Sequence, residues 1–300
     1  MNWQKRGVVI EPPTQLPWVA SHAAVPHADT HDGALEVYFT TRDAKRRSHV
    51  ASALVDLSRR TADVSPEPVL APGPLGAFDD SGAMTSCLVR EGDSSYLYYQ
   101  GWSLGVTVPF YVFVGCAIRA RDGESFERVS AAPVLGRHDV DPFMCSSPWI
   151  LREGETWRMW YVSNLGWKAQ REGPAQYVVH IKYAESRNGI DWERDGHVCI
   201  DFASPGEYAI SRPCVVKDGE VYRMWYSHRG PAYRIGCAES RDGLAWERKD
   251  EAVGIDVSSE GWDSDMVEYA CVFDHEGSRH MLYNGNDFGR TGIGHAVLTQ

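Results

Sequence analysis

The chain has 300 residues, of which 43% are hydrophobic and 24% are charged, and this composition supplies a folded core and excludes a disordered chain. Its 41 acidic residues outnumber its 30 basic residues, which gives a formal net charge of -11. Nucleic acid is therefore not expected as a partner, because proteins that bind polyanions normally carry a positive surface.

Neither targeting nor metal-binding patterns stand out. The amino-terminal segment lacks the apolar run of a signal peptide, and no apolar stretch of roughly 18 residues occurs elsewhere. We therefore expect a cytoplasmic protein without membrane contact.

The seven cysteines lie singly in strand-like runs, which indicates buried free thiols rather than zinc ligands. No DxDxDG-type calcium loop is present, so no metal ligand is assigned and no cofactor is expected. The oligomeric state is left open.

Similar blocks recur five times along the chain. Each begins with an apolar segment, continues through a tight turn into an aromatic strand, and ends with a second apolar strand. In chain order, the blocks begin with HAAVPHADTHDGALEVYFTTRD (22–43), SCLVREGDSSYLYYQG (86–101), SPWILREGETWRMWYVS (147–163), RPCVVKDGEVYRMWYSH (212–228) and YACVFDHEGSRHMLYNGN (269–286).

Each block contains short runs of β-branched and aromatic residues separated by DG, NG, EG or GD turns, which is the pattern of strands and hairpins. A single small sheet cannot bury both of its faces, so five such units favour a propeller. The sequence predicts an all-β fold with almost no helix: one domain, 1–300, forming a five-bladed β-propeller with four-stranded antiparallel blades around a central channel. The terminal strand GIGHAVL is expected to complete a blade with the amino-terminal part of the chain.

Polar clusters precede the first strand of most blocks. They are GAFDDSGAMTS (76–86), HDVDPFMCSS (138–147), EYAISR (207–212) and WDSDMVEY (262–269). The first strand of a blade lies nearest the axis, so these residues are expected at a shared central site. Ordinary turn residues are the alternative interpretation for any one cluster.

The chain resembles the five-bladed propeller glycosidases, namely glycoside hydrolase families 32, 43, 62, 68 and 130 and their relatives. The resemblance covers the whole chain and is carried by RMWY (158–161 and 223–226), the AES blocks at 184–186 and 238–240, FDD (78–80), GWDSDMVEY (261–269) and LYNGN (282–286). It implies cleavage or transfer at a glycosidic bond by carboxylates from different blades, one as acid and another as base or nucleophile.

Carried over by position, the resemblance implies Asp80, Asp141 and Glu268 as catalytic residues, with Asp141 orienting the substrate or tuning a neighbouring pKa. Asp79 is the alternative to Asp80, and Asp265 is the alternative to Glu268. Several of these families place an aspartate at the start of the first blade, where this chain has Ser21 and His22. Because the aspartate is absent, three roles are open for His22: a base, a substrate-binding residue or a structural histidine.

The remaining candidate residues are assigned to substrate binding. They are His22, Arg42, Asp79, Trp102, Trp167, His180, Glu207, Arg212, Asp265, Asn284 and Asn286. Arginine and histidine side chains would form a cationic wall suited to phosphate or carboxylate. Loop tryptophans can stack on sugar rings.

The leading functional hypothesis is therefore a carbohydrate-active enzyme of the glycosidase type. Its expected substrate is a small carbohydrate or sugar derivative, and the cationic wall admits an anionic one; hydrolysis, phosphorolysis and transfer remain open. The alternatives are a non-catalytic propeller that binds a sugar or nucleotide sugar, and a propeller recruited to another biosynthetic reaction.

Overall fold

The computed structural model describes residues 1–120, 123 and 125–299. These residues form 21 β-strands, with single helical turns only at Asp250–Ala252 and Asn286–Gly289. The predicted all-β fold with almost no helix is thus confirmed. None of the helices in the described ranges has the length and apolar character needed to cross a membrane.

Consecutive strands pair antiparallel in five groups. Group 1 contains β2 (Ser21–His31), β3 (Ala34–Arg42), β4 (Ser48–Asp56) and β5 (Thr61–Val64). Group 2 contains β6 (Gly82–Glu91), β7 (Ser94–Leu104), β8 (Phe110–Ala120) and β9 (Glu127–Arg128). Group 3 contains β10 (Cys145–Glu153), β11 (Thr156–Lys168), β12 (Gln176–Ser186), β13 (Trp192–Glu193) and β14 (Val198–Ile200). Group 4 contains β15 (Ala209–Asp218), β16 (Val221–Arg229), β17 (Tyr233–Ser240) and β18 (Glu247–Arg248). Group 5 contains β19 (Glu268–His275), β20 (Ser278–Asn284), β21 (Ile293–Leu298) and β1 (Trp3–Ile10).

The two ends of the chain meet in group 5. Strand β1 pairs antiparallel with β21, with Trp3 opposite Leu298 and Ile10 opposite Ile293. The terminal strand therefore completes its group with an amino-terminal partner, as the sequence predicts. Groups 1 and 2 are joined by one parallel pair, Ser48 with Gly82, and a similar pair joins groups 3 and 4.

The second strand of each group is buried on both faces. In β11 and β16, Trp160 and Trp225 point to one face while Tyr161 and Tyr226 point to the other, since side chains alternate along a strand. All four are fully buried. Strands covered on both faces have continuous apolar sequences, which explains why the RMWY tetrads are visible in the sequence.

The first strands of the five groups share a one-residue bulge. In β2, β6, β10, β15 and β19, one extra residue interrupts the pairing with the second strand at equivalent positions. Strand β2 has a second bulge between Ser21 and Ala24, which contains His22 with φ 67°. Four of the five equivalent bulges likewise contain a non-glycine residue with positive φ, namely Val25 (53°), Ser147 (45°), Arg212 (54°) and Tyr269 (57°). Such backbone conformations are strained for these residue types and persist only where the surrounding structure enforces them.

A cycle of hydrogen bonds links the first strands two residues beyond these bulges. His27 Nε2 accepts from Leu88 N, Cys87 Sγ from Ile150 N, Cys214 Sγ from Val272 N and Cys271 Sγ from Ala28 N, while Trp149 Nε1 donates to Val215 O. We call these five side chains the axial ring. Each member reaches from its own first strand to the next one, and Cys271 returns to the strand that carries His27.

Four groups also contain an aspartate that binds a tyrosine and a cation, which we call an Asp–Tyr clasp; three of these aspartates are buried and Asp250 is partly exposed. The clasps are Asp79 with Tyr99 and Arg128, Asp141 with Tyr161 and Arg194, Asp250 with Tyr226 and Arg248, and Asp263 with Tyr283 and Lys5. In three clasps the aspartate precedes the tyrosine by 20 residues. In these three, the clasp ties the loop before a first strand to the second strand of the same group.

We predict that Trp149→Phe destabilises the protein by about 1–3 kcal/mol more than Trp225→Phe does. The first substitution removes the indole donor and leaves the Val215 carbonyl without its partner, whereas the indole nitrogen of Trp225 is buried without a hydrogen-bond partner in the described part of the protein. Urea unfolding of both variants measures the difference. Equal losses would mean that the axial ring adds no stability.

Candidate functional site

A cavity of about 790 Å³ lies at the bulges of the first strands. All four positive-φ residues, Val25, Ser147, Arg212 and Tyr269, contribute to its wall. Strained backbone of this kind concentrates at functional sites, so its coincidence with the cavity makes this the candidate site.

One side of the cavity is strongly cationic. Arg42 ends β3, and Lys45, Arg46 and Arg47 follow in the turn to β4; all four line the cavity. Asp43 shapes this turn, because its Oδ1 accepts hydrogen bonds from the backbone N–H groups of residues 45 and 47, each at 2.9 Å. Asp43 Oδ2 lies 2.9 Å from Arg47 Nη2, so the charge of Arg47 is paired.

The other cations at this side have no such partner. Arg42, Lys45 and Arg46 form no ion pair with any residue that the structure describes, and neither does nearby Arg290. A second cavity of about 450 Å³ adjoins the first and shares His22, Arg42 and Arg46 with it. Burial, followed by the charges of Arg46 and Arg290, lowers the pKa of Arg42, while Tyr269 opposes this shift. We call Arg42, Lys45 and Arg46 the cationic side.

His22 belongs to the wall of both cavities. Its Nδ1 lies 2.7 Å from Ser21 Oγ. Burial, together with the charges of Arg42 and Arg290, lowers the pKa of His22 to about 4. The imidazole is therefore neutral at pH 7 and can serve as a hydrogen-bonding group beside the cations.

Arg212 supplies a fifth basic residue to the cavity wall. The side chain is almost completely buried; Nη1 donates to Ser86 O at 2.7 Å and Nη2 to Pro26 O at 2.8 Å. It pairs with no carboxylate in the described part of the chain, and burial lowers its pKa. Its guanidinium also stacks over Trp149 at 5.8 Å. Arg212 thus fixes two first strands and adds positive potential to the cavity.

The rest of the wall is largely aromatic and aliphatic, with a few hydroxyl and amide groups. Trp102, Phe110, Tyr177, Tyr233 and Phe288 are among the lining residues. The polar side chains include Ser146, Ser147, Ser211 and Gln100, of which Ser147 and Gln100 bond to each other at 2.9 Å. No aspartate or glutamate in the described residues lines this cavity.

Glu268 lies behind this wall, next to Tyr269. The residue is completely buried, and neither carboxylate oxygen has a hydrogen bond of normal geometry within the described residues. Burial raises the pKa of Glu268 well above its usual range, although the Tyr269 phenol and the Arg229 guanidinium oppose the shift. Burial therefore favours the neutral carboxylic acid form of Glu268, which does not itself line the cavity, whereas the neighbouring Tyr269 does.

The other predicted catalytic carboxylates are held by different contacts. Asp141 is fully buried in its clasp, where Lys182 also contacts it at 3.2 Å, and Asp79 is likewise buried in a clasp. Asp80 accepts from Gly76 N and Ser81 Oγ within a turn. The structure therefore does not bring Asp80, Asp141 and Glu268 together on the cavity wall, and the contacts of Asp79 and Asp141 favour structural roles.

The predicted binding residues divide into two sets. His22, Arg42, Trp102 and Arg212 line the cavity. The remaining residues contact other parts of the protein. Trp167 packs on Phe110 and Tyr177, and His180 Nδ1 lies 3.3 Å from Asp201 Oδ1. Glu207 binds His228 and Arg248, while the exposed residue Asp265 donates its backbone N–H to Asn286. Asn284 Oδ1 accepts from Val25 N at 2.8 Å, so it holds one of the bulges.

Several lining residues escape the sequence analysis. Lys45 and Arg46 are the most informative, since RDAKRR (42–47) is a dense basic run in a chain of net charge -11 and marks an unusual loop. Tyr177, Tyr233 and Phe288 give no comparable signal, because aromatic residues recur throughout the chain. Among the described residues, no group of three or more His, Cys, Asp or Glu has the geometry to hold a metal ion.

We predict that Glu268→Gln becomes progressively more stable than the unmodified protein between pH 5 and pH 8. The raised pKa favours the protonated form of Glu268 in the folded chain at pH values where the unfolded chain has lost that proton. Folding stability therefore falls as pH rises, by up to about 1.4 kcal/mol per pH unit. Urea unfolding across this range measures the difference, with exposed Glu220→Gln as the control. A difference that does not change with pH would contradict the raised pKa.

Comparison with solved structures identifies the fold. One glycoside hydrolase superposes with a TM-score of 0.79 at 17% identity, covering 98% of this chain and 90% of that one. A thermostable family-43 glycoside hydrolase gives a TM-score of 0.66 at 15% identity, covering 93% and 90%. A structure from work on the GH130 family of mannoside phosphorylases gives 0.69 at 14%, covering 96% and 90%. The predicted resemblance to glycoside hydrolases is confirmed at the level of the fold.

No model of a known protein family matches the chain. The uncharacterized protein MT1551 of Mycobacterium tuberculosis is 48% identical over 301 residues, which cover 99% of both chains. The uncharacterized protein Rv1502 of the same species is 47% identical with the same coverage. The chain therefore belongs to the family of these two mycobacterial proteins.

Proposed function

We propose that residues 1–300 form one domain, a five-bladed β-propeller whose antiparallel blades surround a central channel. Each blade has the four strands that the sequence predicts, except group 3, which has a fifth short strand. Three observations support this arrangement: the five antiparallel groups, the bulge repeated in every first strand, and the axial ring, which returns to the strand where it starts. The likeness to glycoside hydrolase structures over nearly the whole chain supports it as well.

We propose further that the cavity binds a small anionic sugar derivative. The observation that carries this proposal is a wall with five basic residues and no carboxylate among the described residues, in a chain whose net charge is -11. Among these residues, Arg212 is buried and Arg42 is half-buried, and neither pairs with a carboxylate in the described part of the chain. Removing such cations from water without a counter-charge is costly, so a bound anion stabilises them. Guanidinium groups bind phosphate or carboxylate oxygens in pairs.

The chemistry that fits this cavity is cleavage or transfer at a glycosidic bond, with Glu268 as the source of the proton. The protonated carboxyl would pass its proton to the Tyr269 phenol, which would in turn donate to the leaving glycosidic oxygen as the bond to the anomeric carbon breaks. The new bond forms to water or to a phosphate oxygen held by Arg42 and Arg46. Water attack requires a base, for which neutral His22 is available, whereas phosphate requires none.

A non-catalytic function is the second candidate. Glycosidases of the common type hold two carboxyl groups about 5–10 Å apart on opposite sides of the sugar. The described wall offers no such pair, and this observation favours a propeller that binds an anionic sugar without cleaving it.

Anion binding is tested with Arg42→Gln. We predict a loss of about 10–100-fold in affinity for glucose 6-phosphate, since a hydrogen bond to a charged group contributes about 1.5–3 kcal/mol. Titration calorimetry measures the affinity. Arg59→Gln changes the net charge equally at an exposed position and is expected to bind as the unmodified protein does. Equal affinity in the unmodified protein and both variants would contradict the proposed anion site.

Catalysis is tested with Glu268→Gln and Tyr269→Phe. Each is expected to lower kcat by at least about a hundredfold on any phosphorylated glycoside that the protein turns over, with little change in ligand affinity, because each interrupts the proton path without removing a cation. Unchanged kcat in both variants would exclude this path. If no glycoside from a panel is cleaved while the sugar phosphates raise Tm, the binding function replaces the enzymatic one.

A further inference from the structure

The cavity has a second side with the opposite character. Trp102, Leu104, Pro109, Phe110 and Val112 all line it, and all come from the β7–β8 hairpin of group 2. We call these five residues the apolar side. They lie in one continuous cavity with the cationic side of group 1.

The hairpin is a supported platform. Gly105 N donates to Pro109 O at 3.2 Å and closes the loop, while Phe110 packs edge-on against Trp167 with ring centroids 5.4 Å apart. Leu104 nevertheless remains 73% exposed and Val106 completely exposed. Isolated exposed apolar residues are ordinary, but a row that continues into a cavity wall marks a binding surface.

A direct contact connects the two sides. Trp102 Nε1 donates to Ser48 Oγ at 3.2 Å, and Ser48 follows immediately after the cationic turn 43–47. The indole therefore spans the distance between the group 2 hairpin and the group 1 cations. A ligand whose anionic group contacts Arg42 or Arg46 has the apolar side within the same cavity.

A sugar alone does not account for the apolar side. Sugar hydroxyls need hydrogen-bond partners when they leave water. The side chains of the apolar side provide one polar atom, Trp102 Nε1, which already donates to Ser48. Hydroxyl and amide partners occur elsewhere on the wall, at Gln100, Ser146 and Ser211.

Resting on the proposed binding of an anionic sugar derivative, we propose that the ligand is an amphiphile, in which an apolar aglycone lies against the β7–β8 hairpin while the anionic group contacts Arg42 and Arg46. The sugar would use the hydroxyl and amide groups elsewhere on the wall, at Gln100, Ser146 and Ser211. An aryl group and an alkyl chain share this chemistry.

The test compares inorganic phosphate, glucose 1-phosphate, phenyl phosphate and octyl phosphate by titration calorimetry on the full chain, with octyl phosphate kept below its micelle concentration. We expect phenyl or octyl phosphate to bind at least about tenfold more tightly than inorganic phosphate. Tighter binding of the phenyl compound indicates an aryl aglycone, and tighter binding of the octyl compound indicates an alkyl one.

Hairpin variants test whether the higher affinity for phenyl or octyl phosphate comes from contacts with the apolar side. Leu104→Ser/Phe110→Ala should lose most of the tenfold gain yet bind inorganic phosphate unchanged, whereas Leu54→Ser, an exposed substitution on β4, should retain the gain. Leu104→Ser alone alters only an exposed side chain and should lose part of the gain, even where the double variant folds poorly.

The outcomes separate this inference from the proposed function. The amphiphile proposal is wrong if all four compounds bind equally, or if both Leu104 variants keep the higher affinity for phenyl or octyl phosphate. Either result leaves the proposed anion site intact. If none of the four compounds binds, the proposed function fails, and the amphiphile fails with it.

Discussion

The axial ring is the constraint on which the rest of the structure depends. Its five side chains lie at equivalent positions of the first strands, two residues beyond the repeated bulge, and each bonds to the backbone of the next first strand. The ring therefore fixes the spacing of the first strands, and the strained residues just before it are held in place. Because those residues form part of the cavity wall, the geometry of the candidate site follows from the contacts that organise the fold.

The electrostatics of the cavity follow from the same arrangement. Arg212 is buried because its guanidinium bonds to carbonyl groups of two other first strands, and its charge is left without a carboxylate in the described part of the protein. Arg42 and Arg46 approach the same cavity from the 43–47 turn. The positive charges of Arg46 and Arg290 act unfavourably on Arg42, and a bound anion would relieve that repulsion, which makes anion binding more favourable. The proposed ligand thus offsets a repulsion that folding itself creates.

Residues that recur in successive blocks of the sequence can have a structural role or a functional one. Asp79 and Asp141 stand out because they recur at the same place in successive blocks, and this recurrence suggested a shared catalytic site. In the structure, the recurrence reflects the Asp–Tyr clasp, which each of four groups forms separately. A catalytic centre needs residues that differ between blades, since acid, nucleophile and ligand contacts are different tasks. His22, Arg212, Tyr269 and Glu268 lie at or next to bulges of three different first strands, and each has its own chemistry.

The sequence alone predicted the all-β fold and the five repeated blocks, because periodicity and turn residues act locally and were repeated five times. It raised the partnership of the two chain ends as an expectation, and the pairing of β1 with β21 came from the structure. It also identified Arg42, Arg212, His22 and Trp102, all of which lie on the cavity wall. Only the tertiary structure decided that Asp141 is enclosed by Lys182 and Arg194 and that Lys45 and Arg46 have no such partner among the described residues. The pairing of a charge depends on side chains that lie 40 or more residues away in the chain, as Lys182 and Arg194 do from Asp141, and local pattern carries no information on contacts of that separation.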